Sequence, residues 1–537
     1  MFYSVSLKNF KPFGASQTAR LSPLTFIYGP NSAGKSSIIQ SLLLLQQSID
    51  RIEGVNRGAG PLNPSGAGHD FGTIRALVNK QKATGTVELG IGFDTITPRW
   101  IAEESAKSQA NFFHGVFRLN QNSKEESGLN DHWISELAIG YPSFGAEDDR
   151  IIKFKQHRAR IQRTEYGQSL DFSEQLPLVP TGVFSLGDKE SIENLTDYLL
   201  NAFDVGPRGS SQPSFDDVEA VSNRKSELES LLKKTEFHAS ERNPILPGRT
   251  DFYIKARETF DHYKAYQSQS TLLQEDLMAI DNEMDRFLDA TLVRLRKALS
   301  ELIYLGPLRL PESRTLEFAS NQTIDNVGKS GDRSNAAFFQ APQSSQNAIN
   351  RWLGRLELDY RVQVELFSDK LRGDALSMTL RKRGNDPVIR TTRDVGFGVS
   401  QILPVIIQGI ISEQKVICVE QPEIHLHPRL QADLGDFLID TAISRRGNKG
   451  NQWIVETHSE LLIQRVQRRI REGSISRDDV SVLYVDPNPK TGSDIIELRL
   501  DHEGRFIDEW PRGFFNESFE ELMAFNHAGS PDVIGEI

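Results

Sequence analysis

GPNSAGKSS, residues 29–37, follows the apolar run LTFIY at 24–28 and leads directly into the helical run IIQSLLLLQQ at 38–47. Strand, glycine loop and helix in that order form the setting that a nucleotide phosphate cradle requires. Gly29 and Gly34 let the backbone curl so that successive N–H groups face inward, and the start of the following helix adds its partial positive charge. Asn31, Ala33 and Ser37 belong to the same loop. Lys35 is expected to reach the β- and γ-phosphates, and the Ser36 hydroxyl to complete the shell of a Mg²⁺ ion bridging them. The stretch predicts an α/β fold that binds ATP or GTP.

The bulk composition fits an intracellular machine. A chain of 537 residues is long enough for two to four units at about 150 residues each, and one unit can be assembled from distant segments. There is no apolar run of the roughly 18 residues that a membrane span needs, and MFYSVSLKNFKPF lacks the order of a signal peptide. The single cysteine, Cys418, excludes an intrachain disulfide and suits a reducing cytosol, so a cytoplasmic location is expected. A net charge of −11 argues against a generally basic nucleic-acid coat and leaves room only for local patches.

Along the chain, residues 3–7, 24–28 and 86–93 read as strands, and glycine, proline and serine crowd residues 54–68 into a long surface loop. The run RIIKFKQHRARIQR at 150–163 carries six basic residues and no acid. It reads as a solvated edge strand protected by charge, the alternative being a strand that faces phosphates. Residues 214–303 turn helical. Leu273, Leu277, Ile280, Met284, Phe287, Thr291, Leu295, Leu299 and Leu302 follow the three- and four-residue spacing of a coiled-coil seam or helical hairpin. Its partner is expected at 218–236, through a polar turn containing Asn243, Pro244, Pro247 and Gly248. Such an arm would reach about 45 Å as a projecting rod, or would pack on the body as a bundle. Segments 54–68, 241–250 and 328–335 are expected to be the exposed connections that a protease cuts first.

Chemistry resumes in the last third. In DVGFGVSQILPVI, residues 394–406, Gly396 and Gly398 precede an apolar helix, and with Ser400 they are expected to form a second anion-binding surface. In VICVEQPEIHLHP, residues 416–428, a short apolar strand ends in Glu420, which is expected on the metal side opposite the glycine loop. Gln421 stands where a related site keeps a carboxylate for the attacking water; it can orient water but not accept its proton, and Glu423 is a substitute base two residues on. His425 and His427, spaced i, i+2 before Pro428 with no second cysteine in the chain, argue against zinc. In WIVETHSELL, residues 453–462, His458 at a strand tip is suited to contact the γ-phosphate or the water.

The order GPNSAGKS, GFGVSQ, VICVEQPEIHLHP and ETHSE resembles the ABC-type ATPase heads of the OLD, RecF and SMC-like group, in the bacterial branch whose Walker B motif reads EQPE or EEPE before HLHP. YLGPLRLPESR at 304–314 and DEWPRGFF at 508–515 look like that branch too. The resemblance implies a head with a mixed central sheet built from an N-terminal lobe (1–213) and a C-terminal lobe (304–537), interrupted by a helical or coiled-coil insertion (214–303). It implies that Lys35 and Ser36 hold phosphate and Mg²⁺, that Glu420 supports Mg²⁺, and that His458 is the switch. Gly396, Gly398 and Ser400 would contact the ATP of the other subunit, in a sequence that departs from the LSGGQ of transporters.

Two heads would then close head to tail as a homodimer or higher oligomer around ATP, and Gln421 would make the closed state long-lived and hydrolysis slow. After His458 come VSVLYVD at 480–486 and an acidic tail, without the acid clusters of the Toprim nuclease that OLD-type relatives often carry, so a built-in nuclease is not expected. Stand-alone ATPases of this branch resemble the ATPase partners in antiphage systems such as Septu, retron-associated Septu-like pairs and the PARIS type, which implies a separately encoded nuclease or toxin as effector. Two rival readings remain. One is a DNA-repair head gripping duplex through Arg381, Lys382 and Arg383 or through Arg465, Arg468, Arg469 and Arg471, clusters that also read as solvated faces. The other is an oligomeric scaffold with little turnover.

Overall fold

The computed structural model describes residues 1–49, 62–65, 68–81, 85–94, 110–119, 132–141, 150–157, 183–186, 188–202, 225–230, 232–233, 237–239, 247–250, 293–309, 316–317, 323–356, 358, 360–369, 373–382, 388–443 and 450–515. The chain forms two compact units. One contains residues 19–39 and 301–537 together with Met1; the other contains residues 2–18 and 40–300.

The first three strands are β1 (Phe2–Lys8), β2 (Gln17–Arg20) and β3 (Leu24–Tyr28). β1 and β2 join β4 (Thr86–Asp94), β5 (Ala110–Leu119), β6 (His132–Tyr141), β7 (Arg150–His157), β8 (Val183–Leu186), β9 (Phe237–Ala239) and β10 (Pro247–Thr250) in a nine-stranded sheet of order β10-β9-β8-β7-β6-β5-β4-β1-β2. β1 and β4 to β10 pair antiparallel with their neighbours, a meander that short connections can build. The basic strand is therefore not at an edge: β7 is laddered on both sides, to β6 and to β8, and residues 158–163 lie outside the described residues. The stretch expected to be a helical arm also differs. Residues 225–230 and 293–300 are helical, but β9 and β10 add two strands to the sheet, with Pro247 opening the edge strand, where a residue without an N–H is tolerated. Residues 251–292, which hold most of the expected seam, lie outside the described residues, as do 54–61 and 66–67 of the glycine-rich loop.

The other unit is built on a mixed six-stranded sheet of order β11-β16-β17-β3-β18-β19, where β11 is Leu302–Leu305, β16 Val416–Glu420, β17 Gln452–Glu456, β18 Val480–Asn488 and β19 Gly492–Glu497. β11 to β18 run parallel and only β19 is antiparallel. This is the α/β arrangement expected from the sequence, with N-terminal and C-terminal segments meeting in one sheet. The central strands LTFIY, VICVE and QWIVE are buried at every position, as strands covered on both faces must be.

Five of the helices packed into this core are Ser334–Gln340, Gln343–Arg355, Phe397–Ile411, Pro428–Ala442 and Glu460–Arg471. With Lys35–Ile49 as α1, Ile74–Leu77 as α2 and Lys189–Ala202 as α3, they are α4 to α8 in order. α6 is apolar nearly all round and buried from Val399 to Gly409, which makes it a core helix rather than a surface one. The antiparallel strands β13 (Tyr360–Asp369) and β14 (Gly373–Lys382) form, with β12 (Leu316–Glu317) and β15 (Ile389–Arg390), a smaller sheet against which α4 and α5 pack.

Segment 328–335 is only partly exposed: Lys329, Asp332 and Arg333 face solvent, while its other end is packed into the core. Asn335 is fully buried, the Val327 N–H donates to Gln408 Oε1 at 2.8 Å, and the left-handed Gly331 lies so close to Pro404 that a Cβ would come within 2.5 Å of its ring. Among the described residues no helix is long and apolar enough to cross a membrane.

Candidate functional site

β3 delivers the chain to the glycine loop, and the loop conformation explains its sequence. Gly29 has φ +141° and Gly34 φ +110°, both in the region that favours glycine, and a Cβ on Gly29 would collide with the Val485 carbonyl of β18. Ser32 is also left-handed at φ +63°. Ala33 is buried and its carbonyl accepts from Ser493 Oγ at 2.6 Å, while Asn31 is exposed at the loop's outer turn. α1 begins at Lys35, with Ser37 N–H donating to the Gly34 carbonyl at 3.0 Å.

Lys35 Nζ donates to the carbonyls of Gly29 and Pro30 at 3.1 and 3.0 Å and stands 3.9 Å from Glu456 Oε1. Burial lowers its pKa, and the carboxylates Glu456, Glu423 and Glu420 pull it back up. Ser36 Oγ donates to Glu456 Oε2 at 2.6 Å.

Parallel register places Glu420 beside Glu456 at the ends of β16 and β17. Both are buried. Glu420 Oε1 accepts from the Tyr304 hydroxyl at 2.9 Å, and burial followed by the charge of Glu456 pushes its carboxyl up to about 7. Glu456 is raised by burial, and the Ser36 hydrogen bond and the Lys35 charge partly offset this.

Gln421 turns the chain through a left-handed φ of +45°; its N–H donates to the Glu456 carbonyl at 2.7 Å and its own carbonyl accepts from Arg309 Nη2 at 3.1 Å. Glu423 is buried. Its Oε1 accepts the His458 backbone N–H at 2.7 Å, its Oε2 is buried with no partner, and burial raises its pKa. His458 follows β17, and its Nε2 is likewise buried and unpartnered. Burial, then the nearby Lys35 charge, lowers its pKa, so the imidazole is neutral near pH 7.

The helix-start glycines are less uniform than expected. Gly398 lies against the loop that follows Glu420: a Cβ there would come within 2.7 Å of the His425 carbonyl, and the Phe397 and His425 rings meet edge to face at 4.8 Å. Gly396 stands in open space at the N-terminus of α6. The Ser400 hydroxyl, expected to face a phosphate, is instead turned inward: it is 3% exposed and donates to the Phe397 carbonyl one turn back at 2.8 Å. A serine inside a helix readily makes that bond to its own backbone. His427 caps α7, its Nδ1 accepting from the Arg429 N–H at 3.4 Å.

The phosphate loop, the strand-end acids and the buried histidine thus converge in one unit. A family model described as AAA ATPase domain matches residues 1–463. The chain belongs to the AAA ATPase domain family. A second model, described as a protein of unknown function (DUF3696), matches residues 475–525. No curated protein matches. Among solved structures, the chain is similar to an SMC head bound to the C-winged helix domain of ScpA (11% identity over 93% of this chain and 98% of that one, TM-score 0.37). It is similar also to an Smc head with a coiled coil and joint from Pyrococcus yayanosii (11%, 97% and 99%, TM-score 0.37) and to the SMC head domain from Thermotoga maritima (10%, 93% and 99%, TM-score 0.34).

Three features of this ATPase domain were not assigned from sequence. Glu456 is visible in ETHSE, but only the β16/β17 register shows that it stands next to Glu420. Arg309 lies in YLGPLRLPESR as one of two arginines, yet it is fully buried and its guanidinium donates to the backbone carbonyls of Gln401 (2.8 Å), Gly306 (2.6 Å), Glu420 and Gln421 (both 3.1 Å). The third is an aromatic block from DEWPRGFF. Trp510 and Phe515 lie 5.3 and 5.6 Å from the ring of Tyr28, the last residue before the glycine loop, and Phe514 lies 6.5 Å from His458.

The arginine-rich face of α8 is occupied. Arg465 pairs with Asp433 at 3.1 Å and with Asp436, Arg469 with Asp436 (2.6 Å) and Glu472 (2.6 Å), and Arg468 with Glu472 (2.7 Å). Arg465 and Arg469 thus clamp α8 to α7, whereas the Arg468 pair lies within α8 and its C-cap and leaves that side chain largely exposed.

Proposed function

We propose that this chain binds ATP with Mg²⁺ in the 29–37 loop and hydrolyses it slowly, within a cytoplasmic ABC-type head of the OLD and SMC-like kind. The observation that carries the reading is the convergence of Lys35 and Ser36 with two buried strand-end carboxylates, Glu420 and Glu456, on one sheet. A hydroxyl and carboxylates are hard oxygen donors suited to Mg²⁺, and the left-handed loop with a buried lysine suits a polyphosphate. The bound ion would neutralise phosphate charge; Lys35 and the α1 N-terminus would hold the phosphates, and His458 would report them. Slow turnover follows from Gln421, whose amide cannot accept a proton from water.

Nucleotide-dependent pairing of two heads, with the exposed Gly396 edge of one facing the phosphates of the other, is the output we assign to this cycle. The four motifs taken together support a sensor that controls a separately encoded nuclease or toxin in antiphage defence. The DNA-clamp reading draws less support at α8, where Arg465, Arg468 and Arg469 are paired within the chain, than at Arg381 and Lys382, which are exposed. ATP turnover measured beside mass by light scattering, for wild type, Lys35→Ala and Gln421→Glu, tests the proposal. Slow turnover, an ATP-dependent oligomer lost in Lys35→Ala, and faster hydrolysis in Gln421→Glu are expected. Turnover of tens per second without assembly would overturn it.

A further inference from the structure

Glu456 occupies a position that the motif logic of the chain leaves without a task. It closes β17 one strand over from Glu420, in direct register with it, and its carboxylate lies on the first turn of α1. Ser36 Oγ meets its Oε2 at 2.6 Å and Lys35 Nζ stands 3.9 Å from its Oε1. The other acid of the loop, Glu423, spends one oxygen on the His458 N–H.

The main chain around Glu456 is fixed from both sides. Its carbonyl accepts from Gln421 N–H at 2.7 Å, and the next N–H, that of Thr457, donates to the Ile27 carbonyl of β3 at 3.1 Å. A carboxylate held this firmly against a phosphate-loop hydroxyl is oriented before any ligand arrives.

Two oxygens in hydrogen-bond contact differ by only a few tenths of an ångström from the roughly 3 Å edge between neighbouring ligands of an octahedral Mg²⁺, whose bonds are about 2.1 Å long. A cation can therefore replace the shared hydrogen of the Ser36–Glu456 pair with little movement of either oxygen. Lys35, already bonded to two loop carbonyls, does not fill that place.

We propose that Glu456 is a second metal-side carboxylate, which holds the divalent cation of the nucleotide together with Ser36 and Glu420. This rests on the Mg²⁺–ATP reading above. It gives the site two carboxylates on the metal while Gln421 leaves the water position without an acid, so Glu456 is a metal-holding residue and not a replacement base.

The test uses the full chain, with Mn²⁺ as the probe. Affinity for a non-hydrolysable ATP analogue is read first in EDTA, and free Mn²⁺ is then titrated by electron paramagnetic resonance with the analogue bound. Glu456→Gln is expected to weaken Mn²⁺ at least tenfold while leaving metal-free nucleotide affinity equal or higher, since an acid facing phosphate is gone. Mn²⁺ affinity within twofold of wild type in a variant that melts normally overturns the proposal. Glu456→Asp covers the case in which the glutamine variant does not fold: it keeps the charge, shortens the reach, and is expected to weaken Mn²⁺ at least threefold, an unchanged affinity again overturning the proposal. A wild type that binds no analogue in EDTA or with Mn²⁺ overturns the ATP reading itself, and the first titration separates that failure from the others.

Discussion

Arg309 and Gln401 hold each other at both ends. Arg309 Nε donates to the Gln401 carbonyl at 2.8 Å, the Arg309 N–H donates to Gln401 Oε1 at 3.1 Å, and Gln401 Nε2 returns a bond to the Arg309 carbonyl. The remaining guanidinium donors reach the carbonyls of Gly306, Glu420 and Gln421. One buried cation thus ties the second turn of α6, whose N-cap is the exposed Gly396, to the turn at the end of β16 that holds Glu420 and Gln421. Burial lowers its pKa to about 10, with Glu423 the chief opposing charge, so it stays charged at neutral pH.

Replacing it should be costly. Arg309→Lys keeps the charge but cannot direct a planar fork at four carbonyls, so buried acceptors lose their donors at about 1–3 kcal/mol each. Chemical denaturation should show a loss of at least ~3 kcal/mol. A variant as stable as wild type would mean that water satisfies the carbonyls and that Arg309 does not link α6 to β16.

Two glycines that look equivalent as motif residues should behave oppositely. Gly29→Ala places a Cβ on the Val485 carbonyl at φ +141°, so loss of nucleotide binding and a destabilisation of ~2 kcal/mol or more are expected. Gly396→Ala meets nothing within 4 Å and should melt within a degree or two of wild type. Any defect in Gly396→Ala should then appear in ATP-dependent assembly alone, read by light scattering.

The phosphate loop and the parallel strands were legible because each depends on local order: an apolar run, a glycine turn, a helix. The β7 strand was misread as an edge because charge patterning reports what surrounds a strand only when solvent does, and here β8 pairs along its far side. Ser400 is oriented differently from the expectation for a related reason. A hydroxyl at a helix start looks the same in sequence whether it faces out or bonds one turn back to Phe397. Glu456 and Arg309 were missed because their placement comes from register and burial, which no spacing rule encodes.

The α7/α8 clamp gives a direct check on the DNA reading. Asp436 accepts from both Arg465 and Arg469, so Asp436→Ala removes the acid they share, leaves Arg465 with Asp433 and Arg469 with Glu472, and should cost about 1–2 kcal/mol. It also frees part of their positive charge. If duplex DNA binds this helix, Asp436→Ala should tighten binding and steepen its dependence on salt. Unchanged, weak binding is expected, because the arginines serve the fold.

The buried acids make stability depend on pH in a definite sense. Glu420, pushed up to about 7 by burial and by Glu456, binds a proton more tightly in the folded chain than in the unfolded one. Its contribution is fully present below the ordinary carboxyl range and is lost as pH rises through about 7. Glu456 and Glu423 are shifted in the same direction, while His458, lowered by burial, acts in the opposite sense below about pH 6.5. The comparison must therefore be made against a variant. Without divalent cations, wild type should lose on the order of 3 kcal/mol between pH 5 and pH 8 relative to Glu420→Gln, whose side chain does not titrate. With Mg²⁺ and a non-hydrolysable ATP analogue the difference should shrink, since a cation beside the carboxylates stabilises the ionised form that high pH produces. Parallel pH profiles for the two proteins in EDTA would place the Glu420 carboxyl near its ordinary pKa, and the strand-end acids would then be open to water.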